Sequence, residues 1–216
     1  MLDFKIFCKG EELKEKIEEK KIINILHKHM KKDIHQKRYT KHQSKKKRQL
    51  IEILESRVSQ RIFNNDPITD EEIKKITHYM AQVPNSCSRQ AIYAIVIDDR
   101  VSKELLGGLL VGGVGWIHRA DKVLLLFAFG DAYKAAGEIK FMPYLDAGAV
   151  LMSCYLICEE MNIGTCFVNP NIREEYKKYF SEKFNKGGLI FCGALALGKY
   201  DKKAGKNIKK NSILIK

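Results

Sequence analysis

In the stretch Ser56-Arg57-Val58-Ser59-Gln60-Arg61-Ile62-Phe63, two arginines flank a serine at alternating positions. Alternate residues of an extended chain face the same way, so Arg57, Ser59 and Arg61 can converge on one anion. Each guanidinium offers a planar fork of donors and the serine a short neutral hydroxyl, a combination suited to phosphate. Two arginines and a serine in a basic chain are also compatible with a plain solvated surface. Their meaning depends on what the rest of the chain places around them.

The other candidate groups are less ordered. His27, His29, His35 and His42 match no closed zinc spacing and lie among lysines, so no metal site is expected. The run Lys45-Lys46-Lys47-Arg48 offers charge to a nucleic acid, yet Tyr39 is the sole aromatic nearby and no reading module is present. A solvated basic arm is the simpler reading. Six cysteines have no paired metal spacing and several sit in apolar runs, which fits reduced core thiols, Cys87 included. Gly112-Gly113-Val114-Gly115 lacks the Gly-Lys-Ser/Thr ending of a phosphate loop and reads as a turn.

Several elements must position these groups. Residues 11–32 have near-helical apolar spacing, and residues 33–48 are almost wholly polar and basic. Leu50, Ile51, Ile53 and Leu54 restore an apolar face that runs into the Arg/Ser stretch. Thr69 with Glu72 forms a capping box for a helix from about 70 to 81–83, stopped before Pro84. A polar turn, 84–90, leads into the β-branched strand 92–97, and a second strand is expected over 122–129. A helix from Tyr144 to Met161 has apolar residues almost all round and is stopped by Asn162-Ile163-Gly164, so it belongs in a core or an interface. Strand 165–168, a helix around 172–180 and strand 189–197 follow.

The chain has 216 residues and a formal net charge of +13. That length buries roughly 70% of the unfolded surface, enough to fold without disulfides or metal. Residues 1–50 hold 16 Lys/Arg against 7 Asp/Glu, so +9 of the +13 lies there and the remainder is nearly balanced. Two regions follow: a basic, mostly helical extension over residues 1–49 and a globular domain over 50–216. No run approaches the ~20 apolar residues of a membrane span, and the N-terminus lacks a signal-peptide pattern, so a cytoplasmic protein is expected.

Order and spacing together resemble the nitroreductase family of FMN-dependent enzymes. Its first motif is R-x-S-x-R-x-F, met here by Arg57, Ser59, Arg61 and Phe63. Its second is P-S-x-x-N-x-Q-P-W, of which Pro84 and Gln90 match, whereas the Asn falls on Ser88, the first Ser on Asn85 and the Pro-Trp pair on Ala91-Ile92. Asp146-Ala147-Gly148 opening a long apolar helix is similar to the family's D-x-G, and the resemblance extends over roughly residues 50–200.

The resemblance implies an α+β fold, a mainly antiparallel central sheet wrapped by helices, working as a homodimer with FMN sites shared across the subunit interface. It implies Arg57, Ser59 and Arg61 as ligands of the phosphate and ribityl chain, with Arg61 also near the flavin ring. Ser88 and Gln90 would bond the ring edge or the ribityl hydroxyls, Asn169 would border the ring's other edge, and Lys209 or Lys210 would supply a further phosphate cation. Hydride would pass from NAD(P)H through flavin N5 to a nitroaromatic, quinone or similar acceptor, with no side-chain acid or base required. Two alternatives stand beside it: a flavin-fold binding or sensor protein without turnover, and a nucleic-acid or acidic-partner binder using the basic arm.

Overall fold

In strand Lys122–Ala128 the residues Leu124, Leu126 and Ala128 enter one buried cluster, and Val123, Leu125 and Phe127 enter another. Successive side chains of a strand point to opposite faces, so a strand apolar at every position belongs in the middle of a covered sheet. A computed structural model of the chain describes residues 40–41, 49–185 and 187–205. The expected helix over 11–32 and the candidate ligands Lys209 and Lys210 lie outside these residues.

In chain order the elements are β1 (Thr40–Lys41), α1 (Leu50–Ser56), α2 (Asp70–Met80), β2 (Ile92–Ile97), α3 (Arg100–Leu109), β3 (Lys122–Ala128), α4 (Met142–Glu160), β4 (Gly164–Val168), α5 (Lys177–Phe184), β5 (Ile190–Gly198) and β6 (Lys202–Lys203). The main sheet has the order β2-β3-β5-β4 and every pairing in it is antiparallel. Residues of α2 and α4 pack on one face, around Ile76, Met80, Val150 and Cys154. Residues of α3 and α5 cover the other, around Leu105, Leu109, Phe180 and Phe184. The α+β expectation holds. A two-residue pairing of β1 with β6 brings Thr40–Lys41 beside Lys202–Lys203.

Local chemistry accounts for most boundaries. Thr69 accepts from the Glu72 amide at 3.2 Å, and the Glu72 carboxylate accepts from the Thr69 amide at 2.8 Å, so the capping box starts α2 as predicted. Asp99 caps α3 by accepting from the Ser102 amide at 2.8 Å. The helix expected around 172–180 instead begins as a tight turn over Glu174–Tyr176 and runs as α5 to Phe184. Phe180 and Phe184, one turn apart and both buried, set its inward face.

The register of β3 against β5 shifts between Leu126 and Phe127, and the unpaired residue is close to Gly193, which has φ +124°. A Cβ there would lie 2.5 Å from Phe167 Cζ and 2.8 Å from the Val168 carbonyl. The bulge therefore needs glycine for conformation and for space. Gly193→Ala is expected to cost about 3 kcal/mol, read as a lowered urea midpoint with an unchanged m-value.

Candidate functional site

The Arg/Ser stretch is held open by the residues between its three polar ones. α1 ends at Ser56, whose hydroxyl donates to the Glu159 carboxylate at 2.8 Å, and the Lys203 ammonium pairs with that carboxylate from β6. Arg57 has φ −60° and ψ 127°, so the backbone turns extended from this residue. Ser59 then bridges Thr165 in parallel, and the Gln60 amide donates to the Thr165 carbonyl at 2.8 Å, which lays the segment along the outer edge of β4. Val58 and Gln60 are buried.

Gln60 is the pin. Its side-chain amide donates to Ile62 O at 2.6 Å and Lys202 O at 3.1 Å, and its carbonyl accepts from the Ala204 amide at 2.8 Å. Cross-strand neighbours Gly164 and Gly198 leave the room, because a Cβ on the first would meet Gln60 Cγ at 2.7 Å and on the second Phe63 Cγ at 2.6 Å. With Val58 and Gln60 inward, Arg57, Ser59 and Arg61 take the other face, as alternation predicts.

Both guanidiniums rest on aromatic rings. Arg57 Cζ lies 5.2 Å from the Tyr155 ring centroid, and Arg61 Cζ lies 5.6 Å from that of Trp116. Among the described residues neither has a carboxylate in salt-bridge reach. The Cys166 thiol sits between them: burial raises its pKa, against the opposing pull of Arg61, Ser59 and Arg57. Two cations without a carboxylate partner among the described residues, with a hydroxyl on the same face, have the chemistry that suits an anion. Asn169, exposed, follows β4, with its side-chain oxygen 3.8 Å from where a Cβ on Gly112 would be.

The second loop is built differently. Cys87, Ser88 and Gln90 have φ of 51°, 53° and 51°, left-handed values that cost non-glycine residues energy. Buried Asp146 of α4 holds the loop down, accepting from the Ser86 amide and hydroxyl at 3.0 Å each and from the Tyr133 hydroxyl at 2.9 Å. Arg89 lies over the Tyr133 ring at 5.4 Å and pairs with Glu138 at 3.2 Å, while the Asn85 side chain accepts from the Gln90 amide at 2.9 Å. Ser88 and Gln90 are left exposed. Asp146→Ala leaves three donors without an acceptor and is expected to cost about 3 kcal/mol in urea unfolding.

Cys87 corrects the sequence reading. Instead of packing in the core it is exposed, because the left-handed turn directs it outward, whereas Cys154, Cys158, Cys166 and Cys192 are buried with thiol pKa values pushed up by burial. Under native conditions a thiol reagent should modify Cys87 rapidly and those four only after unfolding. Mass spectrometry of tryptic peptides would locate the label.

The supports of the two loops lie on one helix. Tyr155, beside Arg57, and Asp146, beneath Ser86, are both on α4 and nine residues apart, which is ~13 Å of helix rise. Tyr155, Trp116, Tyr133 and Arg89 are the supporting residues that spacing did not single out. Asp146 carried a signal in the D-x-G that opens α4.

The sequence profile of the nitroreductase family matches residues 54–114, which include the Arg/Ser stretch, α2, the second loop, β2 and α3. The chain has the nitroreductase fold. A nitroreductase family protein from Streptococcus pneumoniae superposes with a TM-score of 0.68 at 13% identity, covering 78% of this chain and 100% of that one. A protein described as a nitroreductase, solved in complex with FMN, from Exiguobacterium sibiricum gives 0.66 at 18% identity, covering 80% and 96%. One described as an NAD(P)H:FMN oxidoreductase from Staphylococcus epidermidis gives 0.66 at 15% identity, covering 82% and 96%. No curated protein sequence matches the chain. In this nitroreductase fold, Arg57, Ser59 and Arg61 lie inside the matched profile, and no described helix is long and apolar enough to cross a membrane.

Proposed function

We propose that the chain is an FMN-dependent oxidoreductase that takes electrons from NAD(P)H and passes them to a nitroaromatic, quinone or similar small acceptor, working as a homodimer. The observation that carries this reading is the pair of guanidiniums flanking Ser59 with no carboxylate to neutralise them among the described residues. A flavin phosphate fits such a donor set. Bound FMN supplies the two-electron chemistry, accepting a hydride equivalent from the nicotinamide and delivering it to the acceptor.

The protein's part is binding, orientation and charge. Arg57 and Ser59 hold the phosphate end, with Lys209 or Lys210 as a further cation. Arg61 would be the cation toward the ring, where positive charge would stabilise the more negative reduced form. Ser88, Gln90 and Asn169 bond the ribityl chain and ring edges. Ser88 offers one donor where the family's Asn offers two, so one contact is lost or passes through water. No side chain acts as acid or base.

The homodimer rests on α4. Tyr144, Leu145 and Met152 are 45%, 61% and 40% exposed along one side of this helix, with Phe141 at its start 52% exposed, and Gly148 lies in the same stripe with nothing within 4 Å of a Cβ placed on it. A contiguous apolar stripe marks an interface, and a two-fold contact uses the same stripe on both copies. If the two α4 helices run antiparallel, the N-terminal end of one lies beside the C-terminal end of the other. That arrangement brings the second loop of one copy toward the Arg57, Ser59 and Arg61 of the other.

The test is the absorbance spectrum of the purified protein before and after anaerobic addition of NADH or NADPH. A flavin spectrum that bleaches supports the proposal and names the preferred nucleotide. Bound flavin that stays oxidised with either nucleotide points to a sensor without turnover, and failure to bind added FMN removes the reading.

A further inference from the structure

The two arginines, Arg57 half-buried and Arg61 exposed, are carried in an unusual way. Ordinarily a fixed guanidinium is held by a carboxylate, which also cancels its charge. Here each is held by a ring. Aromatic faces attract a cation through their quadrupole, fix its position and leave its net charge available to a ligand.

The two rings belong to different parts of the fold. Tyr155 is on α4, its hydroxyl accepting from the Phe167 amide at 3.0 Å, so ring and β4 are tied together. Burial pushes that hydroxyl's pKa up to about 12, which keeps it neutral beneath Arg57. Trp116 belongs to the segment between α3 and β3, is 6% exposed, and donates its indole N–H to the Gly112 carbonyl at 3.0 Å. That segment is in turn fastened beyond β4, since the Val111 amide donates to Asn171 O at 3.0 Å and the Arg173 amide to Leu109 O at 3.3 Å. Gly112 also abuts Asn169. Arg61 and Asn169 therefore share one end of the site, and Arg57 with α4 marks the other.

We propose that Trp116 and Tyr155 are positioning residues with separate tasks: Trp116 holds Arg61 where its charge acts on the redox state of the flavin ring, and Tyr155 holds Arg57 where its charge acts on affinity for the phosphate. This rests on the FMN reading given above. A cation beside the ring favours the reduced, more negative flavin over the oxidised form. A cation on the phosphate favours both forms equally, because the phosphate charge does not change on reduction.

The test compares Kd for oxidised and for reduced FMN in Trp116→Leu, Tyr155→Leu and the ring-retaining Trp116→Phe and Tyr155→Phe, by fluorescence titration and spectroelectrochemistry. Loss of one cation–π shelf is expected to change the relevant constant by roughly tenfold. In Trp116→Leu, Kd for the reduced form should rise about tenfold more than Kd for the oxidised form, which lowers the two-electron potential by about 30 mV. In Tyr155→Leu both constants should rise about tenfold and their ratio should stay that of the wild type. Each Phe variant should recover most of its loss, and should Trp116→Leu fail to fold, a graded series of Tyr and Phe at 116 gives the same ordering. Equal weakening of both redox forms by Trp116 variants, or a changed ratio in Tyr155 variants, overturns the proposal. Wild-type protein that binds no FMN overturns the underlying reading instead, so the two failures are told apart at the first titration.

Discussion

Alanine at Arg57 is expected to weaken FMN binding by about a hundredfold while leaving thermal stability almost unchanged, because charge-assisted bonds to phosphate contribute about 1.5–3 kcal/mol and each 1.4 kcal/mol is tenfold. Two observations separate the effects. Among the described residues Arg57 has no ion pair, and its loss gives up the ring contact with Tyr155 and a charge effect on the Cys166 thiol. Removing one of two neighbouring cations also relieves their mutual repulsion in the empty site, which offsets part of that contact. Arg57→Lys keeps the charge and loses the fork, so it should fall between wild type and alanine. Fluorescence quenching of FMN at several salt concentrations would measure this, with the salt dependence flattening in the alanine variant. An alanine variant that binds FMN as tightly as wild type would remove Arg57 from the site.

Leu145→Asp is expected to turn the proposed dimer into monomers and to abolish FMN binding at the same time. Leu145 is 61% exposed in the single chain, so aspartate there disturbs nothing inside the subunit, but two copies of a charge facing each other across a two-fold axis are repelled and desolvated. Gly148→Leu gives an independent version of the same test. Glycine in a helix interior costs about 1 kcal/mol relative to alanine, and among the described residues no neighbour accounts for it. In the proposed dimer, the close approach of the partner's α4 would account for it. Sedimentation of both variants, beside an FMN titration, reads the two consequences together. Monomers that retain full FMN affinity would show that one chain makes a complete site, and the reading of α4 as the shared interface would fall.

Much of this was legible in the sequence wherever a short-range rule sufficed. The Thr69 and Glu72 capping box, the alternation of Arg57, Ser59 and Arg61, and the apolar run 123–128 are local patterns with local causes. The supports of the site were not legible. Trp116 and Tyr155 sit 55 and 98 residues from the arginines they carry, and nothing in the composition around them distinguishes these rings from ordinary core aromatics. Asp146 is marked by its D-x-G, but its partners Ser86 and Tyr133, 60 and 13 residues away, are not. Cys87 looks like a core thiol because its type usually is, and the left-handed turn that directs it outward is held by a local acceptor, Asn85, and by Asp146, which is distant in the chain. Residues 100–109 have a capped helix that the reading of motifs passed over, although Asp99 before Ser102 is a short-range signal of it.

The bonds of Gln60 and the Ser56–Glu159–Lys203 cluster have a further meaning when the site is viewed as a matter of parity. Along an extended chain there are two settings, and a slip of one residue exchanges them completely. In one setting the outward face is Arg57, Ser59 and Arg61, a strong anion receptor; in the other it is Val58, Gln60 and Ile62, which binds no phosphate. The two settings share the same backbone path, so the path alone cannot choose between them. Anchors at both ends make the choice: Glu159 fixes where the helix stops, and the buried amide of Gln60, together with the Asn64 amide on Lys199 O at 2.8 Å, fixes which residues turn inward. A single-residue insertion between Arg57 and Val58 would thus turn Arg57 out of line while the Gln60 anchor keeps Ser59 and Arg61 in place, breaking up the set without removing any of its members.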